Sequence, residues 1–414
     1  MIKGQFSAIA LLCSGMAAFN ASAEQERLNI SGFGTIATAT ADTNNFEFRN
    51  DRSQDAKAKK DGFAFRPLSS IGVQVDYRIT DKLDFVGQFV YRDQDFQKLD
   101  SITQMAFLRY QLSPSWQLRA GRVAADIFHF SDTRDVSIAY PWVKVPTEVY
   151  GIVPSRSLDG ADVSYLKPYD NFELSLKAFF GKGESDFTSD DFVPIEFDNL
   201  YTLGIELTAF DWSVALKHTK TEAENASPGA NFVSESVAQL QPIWSGATAY
   251  ARELSTEGAD IEYTSLYFNR FLGEWELSGE LSHIDSTSIG LRHSINGFFN
   301  LSYFYGAHTF YALYSFADTD AYYIGEERPD FPINANTLQL AALAEEVANS
   351  LAHSQQSFSV GWRWDLRENL AFKAQIERTD IDERGGGLRA RDDLVINEEE
   401  SVAHTLFLGL SFSF

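Results

Sequence analysis

The 414-residue chain has one cysteine, Cys13. It lies in a leader-like segment, with Lys3 as a positive start, an apolar run at Ala8–Cys13 (AIALLC), and Ala21-Ser22-Ala23 ahead of Glu24. This pattern predicts a secretory signal peptide over residues 1–23, too short to span a bilayer. The mature chain then lacks cysteine, which excludes disulfides and paired-cysteine metal sites. Long apolar runs are missing too: no run of 18 apolar residues follows the signal, and mean hydropathy is −0.22. Membrane-spanning helices are thereby excluded, but a spanning barrel is not, because a barrel strand shows only every second residue to lipid. Positive charge is scarce, with 34 Lys and Arg against 58 Asp and Glu and a net charge of −24. Nucleic acid, which needs a basic surface, is excluded as a partner.

Motifs for cofactor or metal chemistry are absent as well. Gly32-x-Gly34-x-x-Ala37 imitates a dinucleotide loop, but it lies within a strand pattern and no helix follows. There is no H-E-x-x-H and no D-x-D-x-D-G calcium loop. No cofactor and no resident metal are expected. His129, His218 and His283 fall near loop ends, so a chance catalytic grouping, and with it a barrel hydrolase, stays open as an alternative.

What the chain does have is aromatics, at 14% with 34 Phe and 17 Tyr, and period-two alternation. IGVQVDY (71–77) and LDFVGQFVY (83–91) flank a turn at Thr80-Asp81-Lys82. The same plan recurs in MAFLRYQL with WQLRAG, GADVSYL with FELSLKAF, and YTLGIEL with WSVALKH. It continues in IEYTSLYFNRF with EWELSGELSH, NGFFNLSYFY with TFYALYSF, and SFSVGWRWDL with LAFKAQIER. With LNISGFGTIATA (28–39) and the closing HTLFLGLSFSF, the reading is sixteen strands. Tight turns alternate with longer polar connections at about 41–64, 93–101, 123–158, 182–196, 222–258, 285–292, 317–354 and 380–401. Segregated short and long connections predict an all-β, sixteen-stranded antiparallel transmembrane β-barrel, with long extracellular loops and short periplasmic turns.

Aromatics cluster beside the turns: Tyr77 and Phe85, Tyr110 and Trp116, Tyr165 and Phe172, Trp364 and Phe372. Such rings favour the membrane–water interface. In the last strand Leu406, Leu408, Leu410, Phe412 and Phe414 share one face, and only Phe407 breaks the polarity of the other. An open edge is not tolerated in hydrocarbon, so this strand is expected to close the cylinder against the first.

With that architecture the sequence resembles the sixteen-stranded general porins of Gram-negative outer membranes. GFGTIA (32–37) resembles their glycine-rich first strand. LRAGRVAADIFHFSDTRDVSIAYPWVKVPTEVYG (118–151) is similar to stretches in porin-like proteins of marine gammaproteobacteria. Phe414, with Phe412 before it, is similar to the signal read by the barrel-assembly machinery. The P-E-F-G-G stretch of enterobacterial porins is lacking. The resemblance implies a homotrimer in the outer membrane, embedded in lipid and lipopolysaccharide, passing small hydrophilic solutes and ions by passive diffusion. It also implies that loop three, about 123–158, folds into the lumen.

Faces opposite the apolar ones should line a pore. They carry bases such as Arg78, Arg92, Arg109, Arg119 and Lys373 and acids such as Asp76, Asp84, Glu280 and Glu377, in balanced number. That many charges need water, which argues for hydrophilic solutes and against apolar ones. The resemblance sets a basic wall of Arg92, Arg109 and Arg119 against loop three, where Asp126, Asp132, Arg134, Asp135, Lys144, Glu148 and Arg156 are candidates for the constriction. Scaffolding of an infolded loop by salt bridges is the competing reading of each. The alternative function is a channel specific for a sugar, oligosaccharide or small anion. The acidic excess predicts a mild cation preference. ANTLQLAALAEEVANSLAH (335–353) has leucines at helical spacing and predicts a short helix in loop seven. ESDFTSDD and NEEES form an acidic rim that could bridge divalent cations to lipopolysaccharide.

Overall fold

The computed structural model describes residues 27–43, 46–54, 62–94, 99–185, 194–386, 388–389 and 399–414. The signal peptide over 1–23, most of ESDFTSDD and the first two residues of NEEES lie outside these residues. The described strands are β1 (Leu28–Ala41), β2 (Ser70–Thr80), β3 (Leu83–Arg92), β4 (Thr103–Ser113), β5 (Trp116–Ala124), β6 (Ser157–Pro168), β7 (Glu173–Ser185) and β8 (Ile195–Thr208). They continue as β9 (Trp212–Ala223), β10 (Ala259–Leu272), β11 (Trp275–Ser286), β12 (Ser294–Tyr305), β13 (His308–Thr319), β14 (His353–Arg367), β15 (Leu370–Gly386) and β16 (Ser401–Ser413). Each strand pairs antiparallel with its sequence neighbours, and β1 pairs β16, so the sheet is a closed sixteen-stranded barrel.

Closure is made by backbone. The N–H of Gly32 donates to the Phe414 carbonyl at 2.8 Å, and the N–H of Phe414 donates to the Gly32 carbonyl at 2.9 Å. A Cβ on Gly32 would lie 2.2 Å from the Phe414 ring, and one on Gly34 would lie 2.7 Å from the Phe412 ring. The first strand is glycine-rich here because the two terminal rings lie over it.

The period-two pattern becomes two faces. Outward residues such as Leu108, Leu118, Leu216, Leu266, Phe310, Val360 and Ile376 are exposed. This apolar belt is far larger than the patches of a water-soluble surface. Tyr77, Tyr110, Trp116, Trp275, Tyr305 and Trp364 are exposed near the short-turn end. No described helix is long and apolar enough to cross a membrane. Phe407, the break in the last strand's pattern, faces inward, fully buried, with its ring edge-on to Phe48 at 4.8 Å.

The connection at 222–258, read from sequence as a polar loop, instead contains helices α1 (Pro228–Ala238) and α2 (Ala247–Leu254). The Ser227 hydroxyl caps α1 by accepting from the Ala230 N–H at 3.2 Å, and Pro228 opens the first turn. Helix α3 (Leu338–Asn349) lies in the seventh long loop. Val233, Val237, Tyr250, Leu254, Ala344 and Ala348 pack the three helices into a small apolar cluster of their own.

Candidate functional site: a passage beside the third loop

Residues 125–156 join β5 to β6 and fold into the lumen. They dock on the wall opposite their origin. Trp142 Nε1 donates to Asn300 Oδ1 at 2.9 Å, and Tyr150 Oη donates to Glu280 Oε2 at 2.5 Å. Glu148 accepts from Ser315 Oγ at 2.8 Å, Gln355 Nε2 at 2.6 Å and Ser357 Oγ at 2.6 Å. Lys144 Nζ pairs with Glu377 at 3.0 Å. Lys373 Nζ donates to the Tyr140 and Trp142 carbonyls at 2.7 and 2.8 Å and to that of Ser137. Asp126 sits between Lys177, at 2.6 Å, and Lys217. Every buried charge named here meets a partner across the loop–wall contact, which is the condition for burying it.

Apolar packing completes the docking. Phe128, Tyr140, Trp142 and Tyr150 are buried with Phe298 of β12, and the His129 ring stacks on Tyr267 at 3.4 Å. Burial, aided by the nearby Lys217 ammonium, pushes the His129 pKa down to about 3, so this imidazole is neutral at physiological pH.

Docking on β11–β16 leaves space on the β2–β8 side. A turn-side chamber of about 750 Å³ is walled by Gln74, Asp76, Arg109, Arg119, Asp132 and Phe414 among others. A loop-side chamber of about 400 Å³ is walled by Arg92, Gln104, Arg122, Asp159, Glu184 and Glu224 among others. Between them lies a narrow neck of about 10 Å³, room for about one water. The neck shares Gln88, Met105 and Asp132 with the turn-side chamber and Gln104, Ser155 and Arg156 with the loop-side chamber. The shared residues place the three spaces side by side in that order, from the short-turn side to the long-loop side.

The neck is held by a buried ion cluster. Asp51 of the first long loop lies 2.5 Å from Arg156, 3.6 Å from Arg134 and 4.0 Å from Arg92. Arg156 also pairs with Asp135 at 3.0 Å. Burial would raise the Asp51 pKa, but Arg156, Arg92 and Arg134 together hold its carboxylate well below the usual range. Burial and the adjacent Arg156 push Arg134 down. Arg134 is oriented by the Val153 carbonyl, which accepts from it at 3.2 Å, and by the Tyr150 carbonyl.

Asp132, Arg134 and Asp135 line the neck, and Arg92 lines the loop-side chamber. Arg109 pairs with Asp84 at 3.1 Å and Arg119 with Asp162 at 2.8 Å, both on the turn-side wall. Asp126, Lys144 and Glu148 line none of the three spaces and instead anchor the loop. Arg156, also a candidate from the sequence, lines both the neck and the loop-side chamber. Sequence reasoning gave no place at the passage to Asp51, Arg122, Gln88 or Gln104. Gln88 was recoverable from strand parity, two residues after inward Val86. Asp51 carried no signal, because its loop has no period.

No family model matches this chain, and no curated protein matches it. Solved structures do. An anion-selective porin from Comamonas acidovorans superposes with a TM-score of 0.54 at 11% identity, over 94% of this chain and 99% of that one. The outer-membrane channel DcaP of Acinetobacter baumannii gives 0.53 at 10% identity, over 96% and 100%. Outer-membrane expressed OmpT of Vibrio cholerae gives 0.51 at 11% identity, over 96% and 99%. At such identities it is the architecture that is shared: this chain has the fold of the sixteen-stranded outer-membrane porins.

Proposed function

We propose that the protein is an outer-membrane diffusion channel of a Gram-negative bacterium, passing small hydrophilic solutes and ions down their gradients. The observation that carries this reading is the pair of chambers, each lined in part by charged side chains, that meet at one charged neck. The apolar belt takes lipid, the short turns face the periplasm, and the long loops face outward beside lipopolysaccharide. Phe412 and Phe414 act as the assembly signal, and the working unit is a homotrimer. Asp132, Arg134, Asp135 and Arg156 form the constriction, with Arg92, Arg109 and Arg119 as the basic side of the path. Lys144, Glu148 and Asp126 act by holding the loop rather than by meeting solute.

Single-channel recording in a planar bilayer under a KCl gradient tests this. Stable steps, grouped in threes, with loss of current in a neck-filling Met105→Trp variant, are expected. Folded barrel without ion current would overturn the proposal. The filled lumen favours a second reading, a narrow channel specific for one solute class, and saturable block of the current by such a solute would select it. Hydrolysis lost on replacing one histidine would instead point to a barrel enzyme.

A further inference from the structure

The outer face of the barrel carries a row of histidines at its long-loop end. Antiparallel register sets His218 of β9 opposite Thr264 of β10, and Thr264 opposite His283 of β11. These are outward positions: His283 shares its parity with exposed Leu277 and Leu281, and His218 with exposed Val214 and Leu216. The next row towards the loops is Lys220, Glu262 and Asp285, with Lys220 paired to Glu262 at 3.1 Å. Charged side chains mark the end of the apolar belt, so the histidines lie at the level of the lipid headgroups, open to ions from outside.

His283 has a partner across the mouth of the β11–β12 connection. Its Nε2 lies 3.1 Å from Nδ1 of His293, the last residue before β12. Both residues are exposed, and the rings meet edge to face, with centroids 4.7 Å apart and planes 68° from parallel. An ordinary hydrogen bond between two imidazoles accounts for this separation, with one nitrogen donating. The same separation fits two nitrogens on one metal ion. At metal–nitrogen distances of about 2.0–2.1 Å, neighbouring ligands of a square-planar ion stand about 2.8–3.0 Å apart, and those of a tetrahedral ion about 3.3–3.4 Å. The ring that donates need only move its proton to its other nitrogen for both to offer lone pairs. Imidazole suits Cu, Ni and Zn, whereas Mg and Ca take oxygen. Exposed Asp285, two positions from His283 on the same face, adds negative charge beside the pair.

We infer that His283 and His293 form a surface site for a divalent first-row transition-metal ion, with His283 Nε2 and His293 Nδ1 as its two protein ligands. Among the described residues no third His, Cys, Asp or Glu completes a ligand group, so water fills the remaining positions and the ion exchanges freely. Cu²⁺ binds ahead of Ni²⁺ and Zn²⁺ at such a site. The ion acts as a staple. The turn at Ile289–Leu291 packs Ile289 against the helical cap, and Arg292 pairs with Glu327 of the seventh long loop at 3.4 Å. Joining His293 to β11 therefore fastens this corner of the cap to the wall. The expectation of no resident metal rested on short ligand motifs, and these two histidines stand ten positions apart. The site goes beyond the diffusion reading and stands without it, since it lies outside the lumen.

The test is calorimetric titration of CuCl₂ into the full, untagged barrel in octyl glucoside, with electron paramagnetic resonance of the bound Cu²⁺. Expected are one saturable site, binding of MgCl₂ at least a hundredfold weaker, and a spectrum with two nitrogen ligands. His283→Gln and His293→Gln should each weaken Cu²⁺ at least tenfold and leave one nitrogen, while the barrel keeps its heat-modifiable mobility on gels. His218→Gln, on the same row but two strands away, should leave binding unchanged. No saturable binding to the folded wild-type barrel would overturn the inference. So would binding unchanged in both variants, which would put the ion elsewhere, or a spectrum with oxygen ligands alone. Equal weakening by His218→Gln would also overturn it, by showing a diffuse attraction along the row. Ion current is measured separately, so failure of the channel reading is distinguishable from failure of this one.

Discussion

At the residue scale, two positions make the sharpest claims. Gly160 of β6 and Gly181 of β7 face each other across the ladder. A Cβ on Gly160 would lie 2.2 Å from the Phe180 carbonyl oxygen, and one on Gly181 would lie 2.2 Å from that of Asp159. Backbone cannot swing aside as a side-chain tip can, so Gly160→Val should destabilise the barrel by about 1–3 kcal/mol, read from urea unfolding in detergent. Asp51 is the other. Its pKa is lower in the folded chain than in the unfolded one, so its stabilisation is present above about pH 4 and is lost as pH falls through the folded value. The contribution of this cluster to barrel stability should be flat from pH 7 to 5. Asp51→Asn should cost about 3 kcal/mol at pH 7 by leaving three arginines without their shared counter-charge, and should flatten the acid limb. A mutant as stable as wild type at pH 7 would show that water, not Asp51, screens those arginines.

At the element scale, the third loop is a strap fastened at both ends and along its length. Ser137 Oγ lies 2.9 Å from Ser411 Oγ of β16. Ser137→Cys with Ser411→Cys should cross-link on mild oxidation and leave conductance unchanged, because the loop is already in that place. Loss of current on cross-linking would mean that the loop must leave the wall for conduction. The helical cap of α1, α2 and α3 is a separate small core, pinned where Trp244 Nε1 donates to Asp330 Oδ2 at 2.7 Å. Trp244→Ala should loosen it by about 3–5 kcal/mol, seen as faster proteolysis between residues 224 and 258, with conductance still set by the neck. The α1 helix was legible in principle from Ser227-Pro228 and the Val233, Val237 spacing.

At the scale of the whole molecule, charge is sorted by place. The neck carries Asp132 and Asp135 against Arg134 and Arg156. The loop-side chamber carries six acids, Asp100, Asp159, Glu184, Glu196, Asp198 and Glu224, against Arg92, Arg122, Arg156 and Lys182. Cation preference should therefore arise in the loop-side chamber and be mild. Asp198 repels the Glu224 carboxylate and raises its pKa, so this acid protonates earlier than an ordinary glutamate as pH falls. The reversal potential in a KCl gradient should drift away from cation preference between pH 7 and 4, and Glu224→Gln should reduce both the preference and the drift. Anion preference at neutral pH and low salt would sink this account.

The sequence by itself determined the barrel. Alternation along a strand is local, and an even set of two-faced strands with segregated turns and loops has one closed solution in a bilayer. It also determined which charges face inward on regular strands, because parity carries from one residue to the next. Only the tertiary structure decided where the pore runs. Lys144 and Asp132 are both charged and only twelve positions apart in one loop, yet one pairs with Glu377 and the other lines the neck. That division depends on which wall the third loop docks against. Docking is set by contacts hundreds of residues distant, such as Ser137 with Ser411 and Glu148 with Ser357, which no local period encodes.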